Sequence, residues 1–356
     1  MIKNAAASLP VWQHAIDPKR VFVLAEIGVN HNGDLGLAKK MIDAARETGA
    51  DGVKFQAYKA EMEKIGVAPF AEYQKASGFS QSIDMSRHYE LSMEQMLELK
   101  AYAEKRGMPF VVSISGEPTL VEARVLDLPF IKIPSAEVNN LPFLAHLAAE
   151  GKPMVLATGM SYMAEVDAAI QAIEGAGNRD LILLHCVTSY PTIAEDVNLR
   201  AMQTLKAAYG YPVGFSDHTQ GPQISVAAVA MGACFIEKHF TLDKDLPGPD
   251  HAASSTPDEF ALMIAQIRDI EKALGDGRKE PRPVETEMRR VSRKGLVTTA
   301  DIAAGELLTL ANIDIKKPYD GIGPEHYDLV LGRPARVAIA KDSVLNWEHL
   351  MAGKVK

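Results

Sequence analysis

Short apolar runs rich in β-branched residues alternate with amphipathic stretches from about residue 21 to residue 275. The stretches between the runs place apolar residues at helical spacing, as at Leu37, Ala38, Met41, Ile42 and Ala45. Each run therefore predicts a strand and each following stretch a helix. The eight runs are VFVLAEI, GVKF, PFVVS, PFIKI, PMVLA, LILLHC, PVGF and CFIEKHF.

This alternation bears on the fold class. Eight βα units in about 250 residues suit an α/β chain folded as a (β/α)8 TIM barrel. A doubly wound open sheet would produce a similar alternation, and the number of units alone does not exclude it. We expect the barrel.

The pattern changes after the charged, proline-bearing segment LGDGRKEPRPVETEMRR. Short strand-like pieces follow, GLVTT, LLTL, IDIKK and ARVAIA, separated by Gly, Pro and Asp turns. We predict a barrel domain at 1–278, a linker at 279–291 and a small β-rich domain at 292–356. A core of that size is marginal alone, so we expect this domain to pack against a barrel of its own chain or of a partner.

Composition and charge narrow the class of protein. The 356 residues are 47% apolar and 24% charged, as in a globular protein, and the formal net charge is −8. A net negative charge argues against nucleic acid or a membrane surface as a partner, because binding their phosphates needs clustered positive charge. With only Cys186 and Cys234, neither a disulfide framework nor a cysteine zinc site is expected. Because no apolar run suits a signal peptide or a membrane span, we expect a cytoplasmic protein.

Polar side chains cluster where the predicted strands end. In a barrel, the carboxyl ends of the strands carry the functional groups. The polar residues at those ends are Glu26, Asn30, His31, Lys54, Gln56, Lys132, Ser135, Glu137, Thr158, His185, Thr188, Tyr190, Ser216, Asp217, His218, Glu237, Lys238 and His239. The sequence therefore predicts one polar site at this end.

Two lysines stand inside apolar runs, Lys54 in GVKFQ and Lys132 in FIKIPS. An unpaired buried charge is costly, so each needs a partner, and either alone could form an ordinary ion pair in the barrel interior. Together with the hydroxyls of Ser135 and Ser216 they favour a bound anion, such as a phosphate or carboxylate. No Walker loop or GxGxxG follows the first strand, which disfavours a nucleotide.

Two histidines, His218 and His239, follow successive strands and so lie on neighbouring walls of a closed barrel. With Glu26 and Glu237 nearby they predict a divalent-metal site. Either histidine alone would more often be a core residue. Glu237 and His239 are two residues apart, so both face the same side of their strand.

The loop DKDLPGPDHAASS carries Asp243, Asp245 and Asp250 among prolines and glycines. It is either a solvated loop or a rigid contact for a polyhydroxylated substrate. Tyr190, before Pro191, has the same ambiguity between packing and substrate contact.

Taken in order, several motifs resemble those of a known enzyme family. They are AEIGVNHNGD, GADGVKFQAYKA, IKIPSAEVNNLPFL, GKPMVLATGM, LLHCVTSYPT, GFSDHT, EKHFTLDKDLPGPDH and IKKPYDGIGP. Over about residues 20 to 350 the chain resembles the bacterial N-acetylneuraminate (sialic acid) synthases and the relatives that make legionaminic or pseudaminic acid. The C-terminal region resembles their antifreeze-like (SAF) domain.

The resemblance implies condensation of phosphoenolpyruvate with an N-acetylated hexosamine, first of all N-acetylmannosamine, to give a nine-carbon 2-keto sugar acid and phosphate. It also implies a divalent cation (manganese first, or magnesium or cobalt) and a domain-swapped homodimer. The implied catalytic residues are Glu26, Lys54, Lys132 and Glu237. The implied substrate contacts are Ser135, Ser216, Thr188, Thr158, Gln56, Tyr190, Asp250 and Lys317. The implied metal ligands are His218 and His239.

Three positions depart from the family pattern. Ala157 stands where relatives often have Ser, and Thr188 where they often have Asn. Lys317 replaces an arginine that reaches the N-acyl group of the sugar from the partner subunit, and lysine cannot form a planar bidentate fork. The resemblance therefore leaves the sugar open between N-acetylmannosamine and a 2,4-diacetamido-6-deoxy hexose.

Two other functions compete with this one. A metal-dependent sugar-phosphate aldolase or epimerase would need the same lysines, histidines and carboxylates but would release no phosphate. A non-catalytic carbohydrate- or ice-binding protein would fit the antifreeze-like region. That region has Thr298, Thr299 and Thr309 but no regular flat threonine face, and the charged strand ends would then have no use.

Overall fold

The computed structural model describes residues 11–17 and 19–353, and its first unit is a closed barrel of eight parallel strands in sequential order. The closed order confirms the (β/α)8 barrel and excludes the open doubly wound sheet. The strands are β1 Phe22–Gly28, β2 Gly52–Ala57, β3 Phe110–Ile114, β4 Ile131–Ile133, β5 Met154–Ala157, β6 Leu181–Cys186, β7 Val213–Asp217 and β8 Phe235–His239.

One principal helix follows each strand. These helices are α1 Leu35–Glu47, α2 Met93–Lys105, α3 Glu117–Ala123, α4 Leu141–Ala149, α5 Met163–Gly175, α6 Ala201–Tyr209, α7 Gln223–Ala230 and α8 Pro257–Leu274. Additional helices, Ala60–Glu63, Ser82–Tyr89 and Ala194–Val197, lie in the connections. Within the described ranges, no helix is both long enough and apolar enough to cross a bilayer.

The helix α1 shows how the sequence sets these elements. The carboxylate of Asp34 accepts hydrogen bonds from the backbone N–H groups of Gly36 and Leu37, which caps the first turn. The apolar positions recur every three or four residues and are buried against the barrel, as at Met41 and Ile42. The capping residue and the apolar periodicity therefore both predict this helix.

The amino end of the barrel interior is filled by aromatic side chains. Phe22 stacks on Phe235 at 5.1 Å between ring centroids and meets Phe130 edge-on at 6.1 Å. Trp12 packs against Phe130 from the segment before β1. Because apolar groups occupy this end, the polar strand residues are confined to the carboxyl end, which we call the mouth.

The second unit begins at Asp276 and is described by itself. It contains a helix α9, Thr286–Ser292, within the stretch predicted as a linker, and an antiparallel pair of strands, β9 Gly295–Thr298 and β10 Ile313–Lys316. The short helix Tyr327–Val330 follows. Its buried core includes the side chains Leu296, Ile302, Leu308, Ile313, Ile322, Val330, Ala335, Ile339 and Leu345.

Two strands predicted for this unit do not form as regular strands. The segments 307–310 and 335–340 contribute only isolated bridges, Leu307 to Pro334 and Ile339 to Ile302 among them. In the second segment Ala335 and Ile339 are buried and the three residues between them are exposed. In a strand with one buried face, Val337 would lie on the same face as Ala335 and Ile339, so its exposure departs from the strand pattern.

Candidate active site

A cavity of about 260 Å³ opens at the mouth, which exceeds the roughly 30 Å³ of one water molecule several-fold. We call it the mouth cavity. Of the residues predicted for the site, those that line it are Glu26, Lys54, Gln56, Lys132, Ser135, Thr188, Tyr190, Ser216, His218, Glu237, His239 and Asp250.

Four buried charges form an ion-pair chain on the cavity floor. Lys54 Nζ lies 2.8 Å from Glu26 Oε2 and 3.8 Å from Glu237 Oε2. Lys132 Nζ lies 3.4 Å from Glu237 Oε1. Strand register explains the contacts, because Glu26 pairs with Lys54 across β1 and β2. Two lysines and two carboxylates thus balance each other on the cavity floor.

The two carboxylates have pKa values shifted in opposite directions. Burial raises the pKa of Glu26, and the nearby Lys54 only partly offsets it. Burial acts the same way on Glu237, but Lys132 and Lys54 outweigh it and lower its pKa to about 2. Neighbouring acids with divergent pKa values are typical of divided acid and base roles.

The two lysines also differ. Burial lowers the pKa of Lys132, although Glu237 opposes the shift. Burial would lower the pKa of Lys54 as well, but Glu237 and Glu26 together raise it. Lys54 is therefore held as a cation, whereas Lys132 gives up its proton more readily.

The two predicted metal ligands, His218 and His239, stand side by side, with ring centroids 5.5 Å apart. The Nδ1 atom of His218 lies 2.6 Å from the carbonyl oxygen of Val187, which can only accept, so Nδ1 carries the proton and Nε2 presents a lone pair. Burial lowers the pKa of both imidazoles and keeps them neutral.

His239 Nδ1 is buried without a hydrogen-bond partner, and Asp250 Oδ2 lies 3.8 Å from it. A neutral imidazole whose other nitrogen is held by a carbonyl is the usual form of a metal ligand. Over the part of the chain that the structure describes, no group of three or more His, Cys, Asp or Glu is arranged to hold a metal ion. The histidine pair offers two nitrogen ligands, so a divalent cation held there would take its remaining ligands from water or substrate.

The β5 end carries a tight backbone turn. The N–H of Gly159 donates to Ser135 Oγ at 2.9 Å. A Cβ atom at position 159 would lie 2.4 Å from Thr188 Oγ1 and 2.8 Å from Cys186 Sγ, so only glycine fits. The structure does not bring Thr158 into the mouth cavity, since its hydroxyl donates to the carbonyl of Leu184 in the barrel wall.

Of the four predicted sugar contacts, Gln56, Tyr190 and Asp250 line the mouth cavity, and Lys317 belongs to the second unit. Gln56 Nε2 donates to Glu26 Oε1 at 3.0 Å, and the ring of Tyr190 lies 4.3 Å from that of His218. Burial, with Glu26 adding to it, raises the pKa of Asp250 to about 7. Lys317 is an exposed residue of the second unit.

Sequence reasoning missed what Asn30 and Asn32 do. Asn30 Nδ2 donates to Ser254 Oγ at 2.8 Å, and Asn32 Nδ2 donates to the carbonyl of Pro247 at 2.8 Å. Both bonds tie the end of β1 to the loop that carries Asp250. The signal was the density of amides directly after a strand, which favours contacts with a neighbouring loop.

An apolar wall of the mouth cavity was also missed. Val29, Met85 and Tyr89 line the cavity and are buried together, with Phe70 and Phe79 packed behind them. Met85 and Tyr89 belong to the long β2–α2 connection, where no motif marks them.

The barrel with its charged, imidazole-bearing mouth defines an enzyme of the (β/α)8 class with its site at the carboxyl ends of the strands. Residues 41–279 match the NeuB family and residues 293–351 match the SAF domain. The chain belongs to the NeuB family of synthases.

The relatives found cover most of the chain. It is 42% identical to N,N'-diacetyllegionaminic acid synthase of Campylobacter jejuni, over 92% of this chain and 99% of that protein. It is 36% identical to human N-acetylneuraminate-9-phosphate synthase, over 91% of each. A crystal structure of N-acetylneuraminic acid (sialic acid) synthetase from Leptospira borgpetersenii in complex with citrate matches with a TM-score of 0.68 and 36% identity, over 75% of this chain and 90% of that one.

Proposed function

We propose that the protein condenses phosphoenolpyruvate with an N-acetylated hexosamine to give a nine-carbon 2-keto sugar acid and phosphate. Carbon 3 of the enol attacks the open-chain aldehyde, water adds to carbon 2, and the bond from carbon 2 to the phosphate oxygen breaks. The observation that carries the proposal is the pair of buried lysines facing Glu26 and Glu237 beside two neutral imidazoles.

Phosphoenolpyruvate is the trianionic partner and needs the cationic end of the mouth cavity. Lys54 and Lys132 supply two buried ammonium groups, and Ser135, Ser216 and Thr188 supply hydroxyls at the same cavity. Ser216 Oγ now donates to Glu237 Oε1 at 3.0 Å. Charge-assisted hydrogen bonds from these groups hold the ester and stabilise the charge that develops on the departing phosphate.

Glu26 handles the attacking water. Its raised pKa makes it a better base than an ordinary glutamate, because proton transfer is efficient when the pKa approaches the working pH. Gln56 and Lys54 fix its two oxygens in place. Glu237, with its pKa lowered to about 2, is a carboxylate near neutral pH and orients both lysines by pairing with them.

His218 and His239 would hold the divalent cation, manganese first, with magnesium and cobalt as alternatives. A cation bound there would supply Lewis acidity toward the aldehyde oxygen of the sugar. Glu237, register-paired with Ser216 and two residues from His239, supports that end of the cavity.

The sugar lies toward Gln56, Tyr190 and Asp250. Asp250, with a pKa of about 7, both accepts from and donates to sugar hydroxyls near neutral pH. N-acetylmannosamine is the first candidate, and a 2,4-diacetamido-6-deoxy hexose is the second. The apolar wall of Val29, Met85 and Tyr89 favours the second, since a methyl group at carbon 6 would bury there.

We further propose a domain-swapped homodimer in the cytoplasm, in which Lys317 of one subunit reaches the N-acyl group in the other. One feature supports it: Met160, an apolar side chain that lines the mouth cavity, is 66% exposed, as expected where a second subunit would cover it.

One experiment tests the function. Purified protein is incubated with Mn²⁺, phosphoenolpyruvate and each of a panel of N-acyl hexosamines, and both free phosphate and product mass are measured. Phosphate formed only when a sugar is present, with a product heavier than the sugar by a pyruvate unit, is expected. Sugar cleavage or epimerisation without phosphate would instead establish the aldolase or epimerase alternative.

A further inference from the structure

A buried ion pair lies on the outer side of the barrel wall, directly behind the histidine pair. Lys238 Nζ lies 2.9 Å from Asp217 Oδ2, and the two side chains are 2% and 0% exposed. Neither lines the mouth cavity. Removing one member of such a pair is strongly destabilising, yet apolar replacement of both is often harmless to stability. Its presence therefore calls for a reason other than stability.

Strand alternation places this pair between the functional residues. Asp217 directly precedes His218, and Lys238 separates Glu237 from His239. Across β7 and β8, Asp217 is paired in register with Lys238. Because successive side chains of a strand point to opposite faces, fixing 217 and 238 outward turns their neighbours inward.

The pair is also the centre of a network that holds the turn after β7. Asp217 Oδ1 accepts from the backbone N–H of Thr219 at 2.8 Å and from its hydroxyl at 2.7 Å. Asp217 Oδ2 also accepts from the hydroxyl of Ser225 on α7, and Lys238 Nζ donates to the carbonyl of Thr219. His218 lies between two residues, 217 and 219, that this network fixes.

We infer that Asp217 and Lys238 are positioning residues that set the imidazoles of His218 and His239 for metal binding. They lie on the outer side of the barrel wall and contact no substrate. They hold the turn after β7 in place and fix the position of β8 relative to β7. The inference rests on the proposed metal site.

The test uses the full chain and two independent readouts. The first is Mn²⁺ affinity, followed by electron paramagnetic resonance without substrates. The second needs no metal: imidazole ¹⁵N spectra report which nitrogen of His218 carries the proton. The main variant is D217N/K238M, which removes both charges together, keeps the side-chain sizes and also removes the donor to the Thr219 carbonyl. A milder variant, S225A, removes only the hydroxyl that donates to Asp217.

The matched control is D51N/R268M. Arg268 Nη2 lies 2.7 Å from Asp51 Oδ2 at the amino end of the barrel, so this variant also deletes a cation–aspartate pair, far along the strands from the mouth. Outer partners of metal ligands typically change affinity about 10- to 100-fold. D217N/K238M is expected to weaken Mn²⁺ binding by at least about 10-fold and to give a mixture of His218 tautomers. S225A is expected to weaken Mn²⁺ binding about 3-fold. The control variant is expected to change neither the Mn²⁺ affinity nor the His218 tautomer.

The inference is overturned if folded D217N/K238M binds Mn²⁺ with an affinity within about twofold of wild type and keeps a single His218 tautomer. If that variant does not fold, unchanged affinity in S225A overturns it. Should the wild type itself bind no Mn²⁺, the proposed metal site fails, and the tautomer readout alone then decides the positioning role.

Discussion

The two ends of the barrel bury charged groups in opposite ways. At the amino end the carboxylate of Asp51 is fully used, by Arg20 at 2.8 Å, Arg268 at 2.7 Å and the backbone N–H of Val23 at 2.9 Å. At the mouth, Glu237 Oε2 and His239 Nδ1, one atom each of an acid and an imidazole, are buried without a hydrogen-bond partner, whereas among the described residues around Asp51 only His14 Nε2 is. Buried polar groups normally have hydrogen-bond partners within the protein. The mouth therefore retains polar atoms that can bind a ligand, whereas the carboxylate at the amino end is used for structural contacts.

The two ends of one barrel thus separate stability from function. Aromatic packing and complete ion pairs close the amino end, which lets the other end hold opposed charges and shifted pKa values. Changes at the mouth should therefore cost activity and little stability, and changes at the amino end the reverse.

The largest effect is expected from removing either imidazole at the mouth. H218A or H239A should lower the rate of sugar-dependent phosphate release by more than about 1,000-fold, equivalent to about 4 kcal/mol, because the Lewis acid is lost. Thermal unfolding should stay near that of the wild type. Unchanged turnover in either variant would refute the metal assignment.

A pH dependence of stability is expected from His31. Burial lowers its pKa to about 4, and its Nδ1 accepts from the N–H of Gly33 at 3.0 Å, a bond that protonation destroys. The unfolded chain binds the proton near pH 6.5, so the stabilisation is complete above that pH and is lost as the pH falls toward 4. The loss amounts to about 3 kcal/mol.

Urea unfolding of wild type and H31N between pH 4 and pH 7 measures this contribution of His31 to the free energy of unfolding. The free energy of unfolding of H31N should fall less steeply with decreasing pH than that of the wild type. Parallel curves would show that His31 is not the group responsible.

At the amino end, R268M should lower the free energy of unfolding by about 2 kcal/mol, since Asp51 loses one of its two arginines. The kcat for phosphate release should not change, because Arg268 lies at the far end of the strands. A clear fall in kcat at a temperature where the variant is folded would break the separation between the two ends.

The smallest effect is expected at Lys317. If it reaches the sugar across a dimer, K317A should raise the KM for the sugar about 5-fold and leave the KM for phosphoenolpyruvate unchanged, as for loss of one charged hydrogen bond. An unaltered sugar KM would remove the cross-subunit contact from the account.

Much of this structure was predictable from the sequence because local patterns dictate it. Eight apolar runs gave the strands, and period-two alternation placed Glu237 and His239 on one face. The ion-pair chain among Glu26, Lys54 and Glu237 was not predictable, because it depends on register between strands far apart in the chain. The same alternation implies that Lys238 points away from Glu237 and His239, but its ion pair with Asp217 was not predictable, because it too depends on the register between two strands.

Thr158 shows the limit of motif matching. Its position before Gly159 and Met160 matched the family pattern, although Ala157 did not, but its hydroxyl donates to the carbonyl of Leu184. Only the direction of the side chain, set by the barrel wall, separates it from Thr188, which lines the cavity.

The central claim is that the mouth breaks the carbon–oxygen bond of phosphoenolpyruvate after water adds to carbon 2. Running the reaction in ¹⁸O-labelled water and weighing the released phosphate tests it directly. The account predicts phosphate that carries no ¹⁸O and that forms only when the sugar is present. Phosphate containing ¹⁸O, or released equally fast without sugar, would contradict it.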